Sequence, residues 1–148
     1  MEKNKGQVNL PFVLLVGGII VEVALAGIFT AYFLSTSTLG ERLASEAESA
    51  ARSGIEDAME KIIVNKEFVS TPIEGGIRTS AYSLSVNGNN DVTVEVTNEN
   101  VAEATAYTYT IESEAQSGNR EKKFRAVLIV DKITGKSTLQ SREEISVQ

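Results

Sequence analysis

The feature that most constrains this chain is an apolar run from Leu10 to Leu34 that contains a single charged residue, Glu22. As an α-helix, which rises about 1.5 Å per residue, this run extends roughly 37 Å, and the hydrocarbon core of a bilayer is about 30 Å thick. A secretory signal has a shorter apolar region, of about 7 to 15 residues, with a small-x-small cleavage site behind it. Here the run is followed by Ser35-Thr36-Ser37-Thr38. The sequence therefore predicts a membrane-spanning helix rather than a signal that is removed behind the run.

The residues that flank the run predict its orientation. Lys3 and Lys5 precede it, whereas its far side begins with uncharged hydroxyl residues. Lysine and arginine beside a membrane span are found mostly on the cytoplasmic side. We therefore expect a single-pass protein of the cytoplasmic membrane, with its N-terminus in the cytoplasm and its C-terminal part outside.

The composition argues against catalysis and against nucleic-acid binding. The chain has no cysteine and no histidine, which leaves out thiolate chemistry, disulfides and the commonest general base and metal ligand. Its net charge is -6, without a basic stripe that would follow a phosphate backbone. An enzyme that uses Glu112 and Glu114 with Lys122 and Lys123 is a disfavoured alternative, because charges near strand ends are usually solvated. The sequence predicts no enzyme, no cofactor, no metal and no nucleic-acid partner.

After the membrane segment, apolar residues recur with the period of a helix. They form one stripe, and its facing positions are unusually small, which lets a neighbouring backbone approach closely. Two interpretations are open, namely packing on the chain's own sheet and close packing between subunits. The stripe consists of Leu39, Leu43, Ala47, Ala51, Ile55, Met59 and Ile62, and its small residues are Ala47, Ala50, Ala51, Gly54 and Ala58.

From Thr79 onward the apolar residues alternate with polar ones, as in half-buried strands. We predict strands at 82–86, 92–97, 105–112 and 124–130, and a weaker one at 137–147. We predict turns at 87–90, 117–119 and 134–136, and a helix-to-sheet loop at Pro72 and Gly75-Gly76. The fourth strand is apolar on both faces near its end and should lie inside the sheet, whereas Thr93, Thr108 and Thr110 should point toward water.

The predicted fold class is α+β. It has one long N-terminal helix, apolar in its first half and amphipathic in its second half, packed on a four- or five-stranded antiparallel sheet. With 148 residues, the chain has room for one modest soluble domain on one anchor.

Lys5-Gly6-Gln7, directly before the apolar run, resembles the class III signal of type IV pilins and of type II secretion pseudopilins. In that family a prepilin peptidase cleaves after the glycine and leaves the apolar helix on the mature chain. The archaeal form of the signal is matched at Gln7 and Leu15, and the chain departs from it at Asn9 and Pro11. Residues 46–58 and 109–118 resemble segments of minor pilins.

The resemblance implies three segments and a function. Residues 1–6 are a leader peptide, 7–38 a transmembrane and filament-core helix, and 39–148 a soluble head domain. Gly6 and Gln7 flank the processing site. The implied protein is a structural subunit of a type IV pilus-like filament or pseudopilus at the cell surface. Its partners are the membrane, the prepilin peptidase and other pilin-like subunits. The alternative is an uncleaved, signal-anchored surface protein whose β domain binds a ligand or another protein.

Pro11 and Glu22 are the candidate assembly residues. Pro11 is the fifth residue from Gln7, where most major pilins have glutamate. A proline is tolerated in the first turn of a helix, because its missing N–H breaks no bond there. By resemblance to minor pilins that lack the glutamate, it also fits a subunit that caps or initiates a filament.

Glu22 is costly at the centre of a bilayer, by about 2.5 to 3.5 kcal/mol on insertion scales. One interpretation is a contact with a neighbouring subunit, including the amine of a processed Gln7. The other is a neutral carboxyl reached by water near a helix bend at Gly17-Gly18 or Gly27. Cleavage after Gly17 would make Glu22 the fifth mature residue, but no basic residue directly precedes that site.

Overall fold

One helix and five strands make up the regular structure of the described residues. The computed structural model describes residues 9–65, 68–69, 76–86, 90–101 and 104–146, apart from the side chains of Asn9 and Asn90. The elements are α1 (Asn9–Val64), β1 (Ile77–Val86), β2 (Asn90–Glu99), β3 (Ala106–Ser117), β4 (Arg120–Asp131) and β5 (Ser137–Ile145). Internal contacts divide the chain into two units, Met1–Gly40 and Glu41–Gln148, which are described in turn.

The described part of the first unit is helical from Asn9 onward. Its large apolar side chains are exposed around the whole circumference, for example Leu14 and Phe33, each with 68% of its surface accessible. The hydroxyls of Thr30 and Thr38 donate to the carbonyl oxygens of Ala26 and Leu34, at 2.9 Å in each case. These polar side chains are therefore satisfied by the helix itself, as a helix in an apolar environment requires.

The second unit is built on a five-stranded antiparallel sheet in the order β1-β2-β3-β4-β5. Each strand pairs with the next one in the sequence, and β4 lies inside the sheet as predicted. Pairing is in continuous register from β1 to β4, and a bulge at Val127/Leu128 interrupts the pairing of β4 with β5. The predicted turns at 117–119 and 134–136 are confirmed, with Gly118 at φ 57° and Gly135 at φ 70°, where glycine carries no steric cost.

The strand bounds differ from the predicted ones mainly at the start of β1, at Ile77 rather than 82, at the end of β3, at Ser117 rather than 112, and at the start of β4, at Arg120 rather than 124. The predicted turn residues 87–89 lie outside the described residues, and so do Pro72 and Gly75 of the predicted loop.

Residues 41–64 of α1 cover one face of the sheet, which confirms the first interpretation of the apolar stripe. Its residues from Ala47 onward are buried, except for the partly buried Met59, whereas Leu39 is 57% exposed and Leu43 only partly buried. The strands contribute their alternate residues to the same core. These are Val92, Val94, Val96, Tyr109, Ile111, Ala115, Phe124, Ala126, Leu128 and Val130.

The helix lies very close to the sheet at Gly54. A Cβ atom built on Gly54 would collide with Oγ of Ser113 and would lie 2.9 Å from Cγ1 of Val92 and 3.0 Å from Cγ2 of Val94. Ser113 is fully buried beneath the helix, and its hydroxyl has no hydrogen-bond partner among the described residues. The small side chains of the stripe therefore serve contact between helix and sheet within the chain.

Candidate functional site: the apolar helix and the charged sheet face

The apolar part of α1 is the surface of this chain that most requires an external partner. The helix is long and apolar enough to cross a membrane, and no part of its most apolar window is buried within the chain. Exposing a continuous apolar surface of this extent to water is unfavourable at about 25 cal/mol per Å². Lipid or other apolar helices are the surroundings that this surface fits.

Two of the four predicted site residues lie in this part of the helix. Pro11 is in the first turn of α1 as described, where its missing N–H leaves no intrahelical bond unmade. Glu22 is exposed and makes no hydrogen bond or ion pair with any described residue. Gly18 and Ala26, one turn away on either side, leave space around its carboxylate. At about 1.5 Å per residue, Pro11 and Glu22 are roughly 16 Å apart along the axis and do not form one site. Gly6 and Gln7 lie outside the described residues.

The sheet face turned away from α1 carries a network of ion pairs centred on Glu112. Arg125, directly opposite on β4, donates from Nε and Nη2 to Oε1 of Glu112 at 2.9 and 2.7 Å. Nζ of Lys123 lies 2.9 Å from Oε2 of Glu112 and 3.8 Å from Oε2 of Glu114. One carboxylate thus holds two cations on the outer face.

These ion pairs favour the charged forms of Glu112 and Lys123. The hydrogen bond from Lys123, followed by those from Arg125, holds the pKa of Glu112 below its usual value of 4.5. Reciprocally, the hydrogen bond to Glu112 raises the pKa of Lys123 above its usual value of 10.5. The four residues of the enzyme alternative are not all brought together, because Lys122 points to the opposite face and pairs with Glu144.

A second polar cluster, which sequence reasoning missed, links α1 to β1. The hydroxyl of Tyr82 donates to Oδ2 of Asp57 at 2.6 Å, and Nζ of Lys61 donates to the same oxygen at 2.8 Å. The Lys61 ammonium also lies 3.7 Å from the centre of the Tyr82 ring, which Phe68 meets edge-on. Burial, and then the bond to Asp57, raises the pKa of Tyr82. Burial alone would raise the pKa of Asp57, but the bonds from Lys61 and Tyr82 outweigh it and lower the pKa. The only sequence signal was the spacing of Asp57 and Lys61 by one helical turn.

Comparison of the chain with models of known protein families, with curated proteins and with solved structures finds no match. The residues and geometry of the chain itself must therefore indicate its function. The most informative geometry is the contrast between the two parts of α1. Residues 41–64 bury their apolar stripe on the sheet, whereas the large apolar side chains of residues 10–34 stay exposed in the described part of the chain.

Proposed function

We propose that this chain is a structural subunit of a type IV pilus-like filament or pseudopilus. The observation that carries the proposal is that one helix, Asn9–Val64, has an apolar part exposed on every side and a second part whose stripe is covered by the chain's own sheet. A subunit of this kind folds its head domain without help. Its apolar helix depends on the surrounding lipid or on other subunits.

The proposed assembly exchanges one apolar environment for another. Before assembly the helix lies in the membrane with its N-terminus in the cytoplasm, and a prepilin peptidase cleaves between Gly6 and Gln7. During assembly, contacts with the helices of other subunits replace contacts with lipid. Because lipid tails are as apolar as the side chains, close packing and interhelical hydrogen bonds must supply the driving force. Gly17, Gly18 and Gly27 favour such packing, since small residues let a neighbouring helix approach closely. Apart from the adjoining residues of the helix, no described atom lies within 4 Å of a Cβ atom placed at any of them, so the described fold itself does not require glycine there.

The proposal predicts a processed N-terminus. Mass spectrometry of the N-terminal peptide, on protein isolated from the membranes and sheared filaments of its native cells, should find a chain that begins at Gln7. The variant Gly6→Leu should accumulate as the unprocessed form, because the peptidase requires the small residue before the cleaved bond. Gly17→Leu is the matched control and should be processed normally.

Other N-termini would contradict the proposal in distinguishable ways. A chain that retains the leader in native cells, and is monomeric in detergent, would indicate the signal-anchored binding protein instead. A chain that begins at Gly18 would move the processing site and make Glu22 the fifth mature residue. Absence of the chain from sheared surface filaments and from any pseudopilus fraction would exclude the filament role.

A further inference from the structure

The two edge strands of the sheet differ in how they are protected against pairing with another strand. On β5, Arg142 and Glu144 project toward the side of the sheet that α1 covers, and the bulge at Val127/Leu128 distorts the ladder beside it. Inward-pointing charges and bulges are the features with which natural sheets prevent edge-to-edge association. β1 is ten residues long and has neither proline nor bulge, and its only charge is Arg78. Among the described residues, the β1 edge therefore has less of this protection than β5, with one inward-pointing charge near its start against two charges and a bulge.

The register identifies the backbone groups that β1 directs outward. The N–H of Asn100 donates to the carbonyl oxygen of Gly76 at 3.1 Å, so these two residues form a hydrogen-bonded pair. Such pairs alternate along an antiparallel ladder, so the even-numbered residues of β1 bond to β2 and the odd-numbered ones face the open edge. Within the described ranges no strand pairs with that edge. The outward-facing residues are exposed and uncharged, namely Ile77, Thr79, Ala81, Ser83 and Ser85.

We propose that the β1 edge pairs with the β1 edge of a second copy of this chain, antiparallel and about a twofold axis at Ala81. In this register Ala81 lies opposite Ala81 of the second copy, Thr79 opposite Ser83, and Ile77 opposite Ser85. Every pair consists of outward-facing residues, so each outward N–H and C=O of both edges finds a partner. If the register shifted by one residue, the backbone N–H and C=O groups that face the open edge would lie opposite groups that are already hydrogen-bonded to β2. The two sheets become one sheet of ten strands.

The side chains on the face covered by α1 also suit this register. Ser80 lies opposite Tyr82 of the second copy, and Arg78 lies opposite Leu84, so no like charges face each other. Diagonal neighbours in a sheet are about 7 to 8 Å apart, within reach of a long side chain. Arg78 of the second copy therefore approaches the Asp57–Lys61 ion pair beside Tyr82, and Glu60 gives this stretch of helix one negative charge in excess.

The twofold axis determines how the two paired copies are oriented relative to each other. Glu46 accepts a hydrogen bond from Ser117 at 3.2 Å, and Gly54 lies over Ser113, so residues 41–64 of α1 run along β3 in the opposite direction. β1 has the same direction as β3. A twofold axis at the β1 edge therefore reverses this helical segment between the two copies. The pairing depends on the second unit alone, so it holds or fails independently of the proposed function.

Because the natural chain contains no cysteine, single cysteines can test this register in the full-length chain in detergent. Directly opposed residues of a hydrogen-bonded antiparallel pair have Cα atoms about 5.5 Å apart, which suits a disulfide. Ala81→Cys should give a disulfide-linked dimer on mild oxidation. Thr79→Cys alone should give at least about tenfold less, because two Thr79 positions are offset by four residues, or roughly 13 Å. A mixture of Thr79→Cys and Ser83→Cys chains should cross-link as Ala81→Cys does.

A proline variant separates the edge contact from folding. Ala81→Pro removes an outward N–H and should abolish dimer formation, while leaving the thermal unfolding transition nearly unchanged. Equal cross-linking of Thr79→Cys and Ala81→Cys chains would show collision without register and would overturn the proposal. A dimer that survives Ala81→Pro would place the contact elsewhere, for instance on the apolar helix, and would overturn it as well. Failure of the Ala81→Cys chains to cross-link at concentrations where the wild type is dimeric by sedimentation would have the same meaning, and so would a wild type that stays monomeric at every concentration reached.

Discussion

Gly54 lies where helix and sheet are in close contact, and it fits there because it has no side chain. In an exposed helix, alanine is favoured over glycine by about 0.5 to 1 kcal/mol. At this position the added methyl group collides with Ser113 and crowds Val92 and Val94 from the adjoining strand. Overpacking of a well-packed core costs about 1 to 3 kcal/mol, so the steric effect outweighs the propensity.

We therefore expect Gly54→Ala to lower the free energy of unfolding by about 1 to 2 kcal/mol, measured by chemical denaturation of the head-domain signal of the full chain. Gly17→Ala is the control, because its methyl group meets nothing within 4 Å. Ser113→Ala should be neutral or stabilising, since it removes a buried hydroxyl without a described partner. The loss caused by Gly54→Ala should shrink in that background, and equal losses in both backgrounds would show that Ser113 is not the obstacle.

Glu112 gives the head domain a pH-dependent stability whose sign follows from its lowered pKa. Its contribution is present in full above the ordinary value of 4.5 and is lost as the pH falls through the lower pKa of the folded state. Glu112→Gln should cost about 1 kcal/mol at neutral pH, because the side chain is 24% exposed and the pairs are partly screened. The difference from wild type should vanish in acid. Glu99→Gln is the matched control on the same face, and a pH-independent Glu112 difference would contradict the ion-pair explanation.

At the residue scale, the sequence predicted where small side chains gather but not which one must be glycine. Ala50, Ala51, Gly54 and Ala58 share one periodic stripe, and only the three-dimensional approach of β2 and β3 distinguishes Gly54 from the others. The Asp57–Tyr82 hydrogen bond could not be predicted from the sequence either. It joins a charged helix residue, of a type usually exposed, to a strand residue 25 positions away.

At the scale of elements, periodicity predicted the amphipathic half of α1 and all five strands, since burial on one face imposes a repeat of 3.6 or 2. It placed the end of β3 too early. Residues 113–117 are polar or small, so they gave no apolar alternation, yet Ser113, Ala115 and Ser117 are buried. Small side chains are required there because the helix lies close above them. A hydropathy pattern contains no information about the size of a side chain.

The helical stripe predicts opposite outcomes for two isoleucines on the same element. Ile55 is fully buried against the sheet, whereas Ile63, two turns further along, is 60% exposed. Ile55→Asp should unfold the head domain, because an unpaired buried carboxylate costs several kcal/mol, a large share of a small domain's stability. Ile63→Asp should leave the domain folded. Near-ultraviolet circular dichroism of both variants measures this, and a folded Ile55→Asp domain would show that the stripe is covered by something outside the domain.

At the scale of the whole molecule, the sequence predicted a helix that can cross a membrane and an α+β fold, and both are confirmed in the described residues. The processing site remains a prediction, since Gly6 and Gln7 lie outside those residues. The assembly role of Glu22 also remains a prediction, because its partner, if it is another subunit, is not part of a single chain.

Glu22 provides the test of assembly at this scale. Glu22→Leu should leave membrane insertion intact or improve it slightly, because a charge is removed from the span. If Glu22 contacts another subunit, the same variant should reduce the amount of chain recovered in sheared surface filaments. Glu22→Gln then separates an ion pair, which glutamine would lose, from a neutral hydrogen bond, which it would keep. Wild-type incorporation of both variants would remove Glu22 from the assembly contacts.

The order of the strands has a consequence for the way the head domain forms. Because each strand pairs with its predecessor in the sequence, every ladder closes over a short loop and costs little chain entropy. The sheet can grow hairpin by hairpin, in the order in which the strands emerge from a ribosome or a membrane pore. Residues 41–64 of α1 emerge before the strands and provide the surface against which they pack. β5, the charged edge strand, emerges last. It pairs with β4, whose free edge would otherwise be exposed to a neighbouring chain.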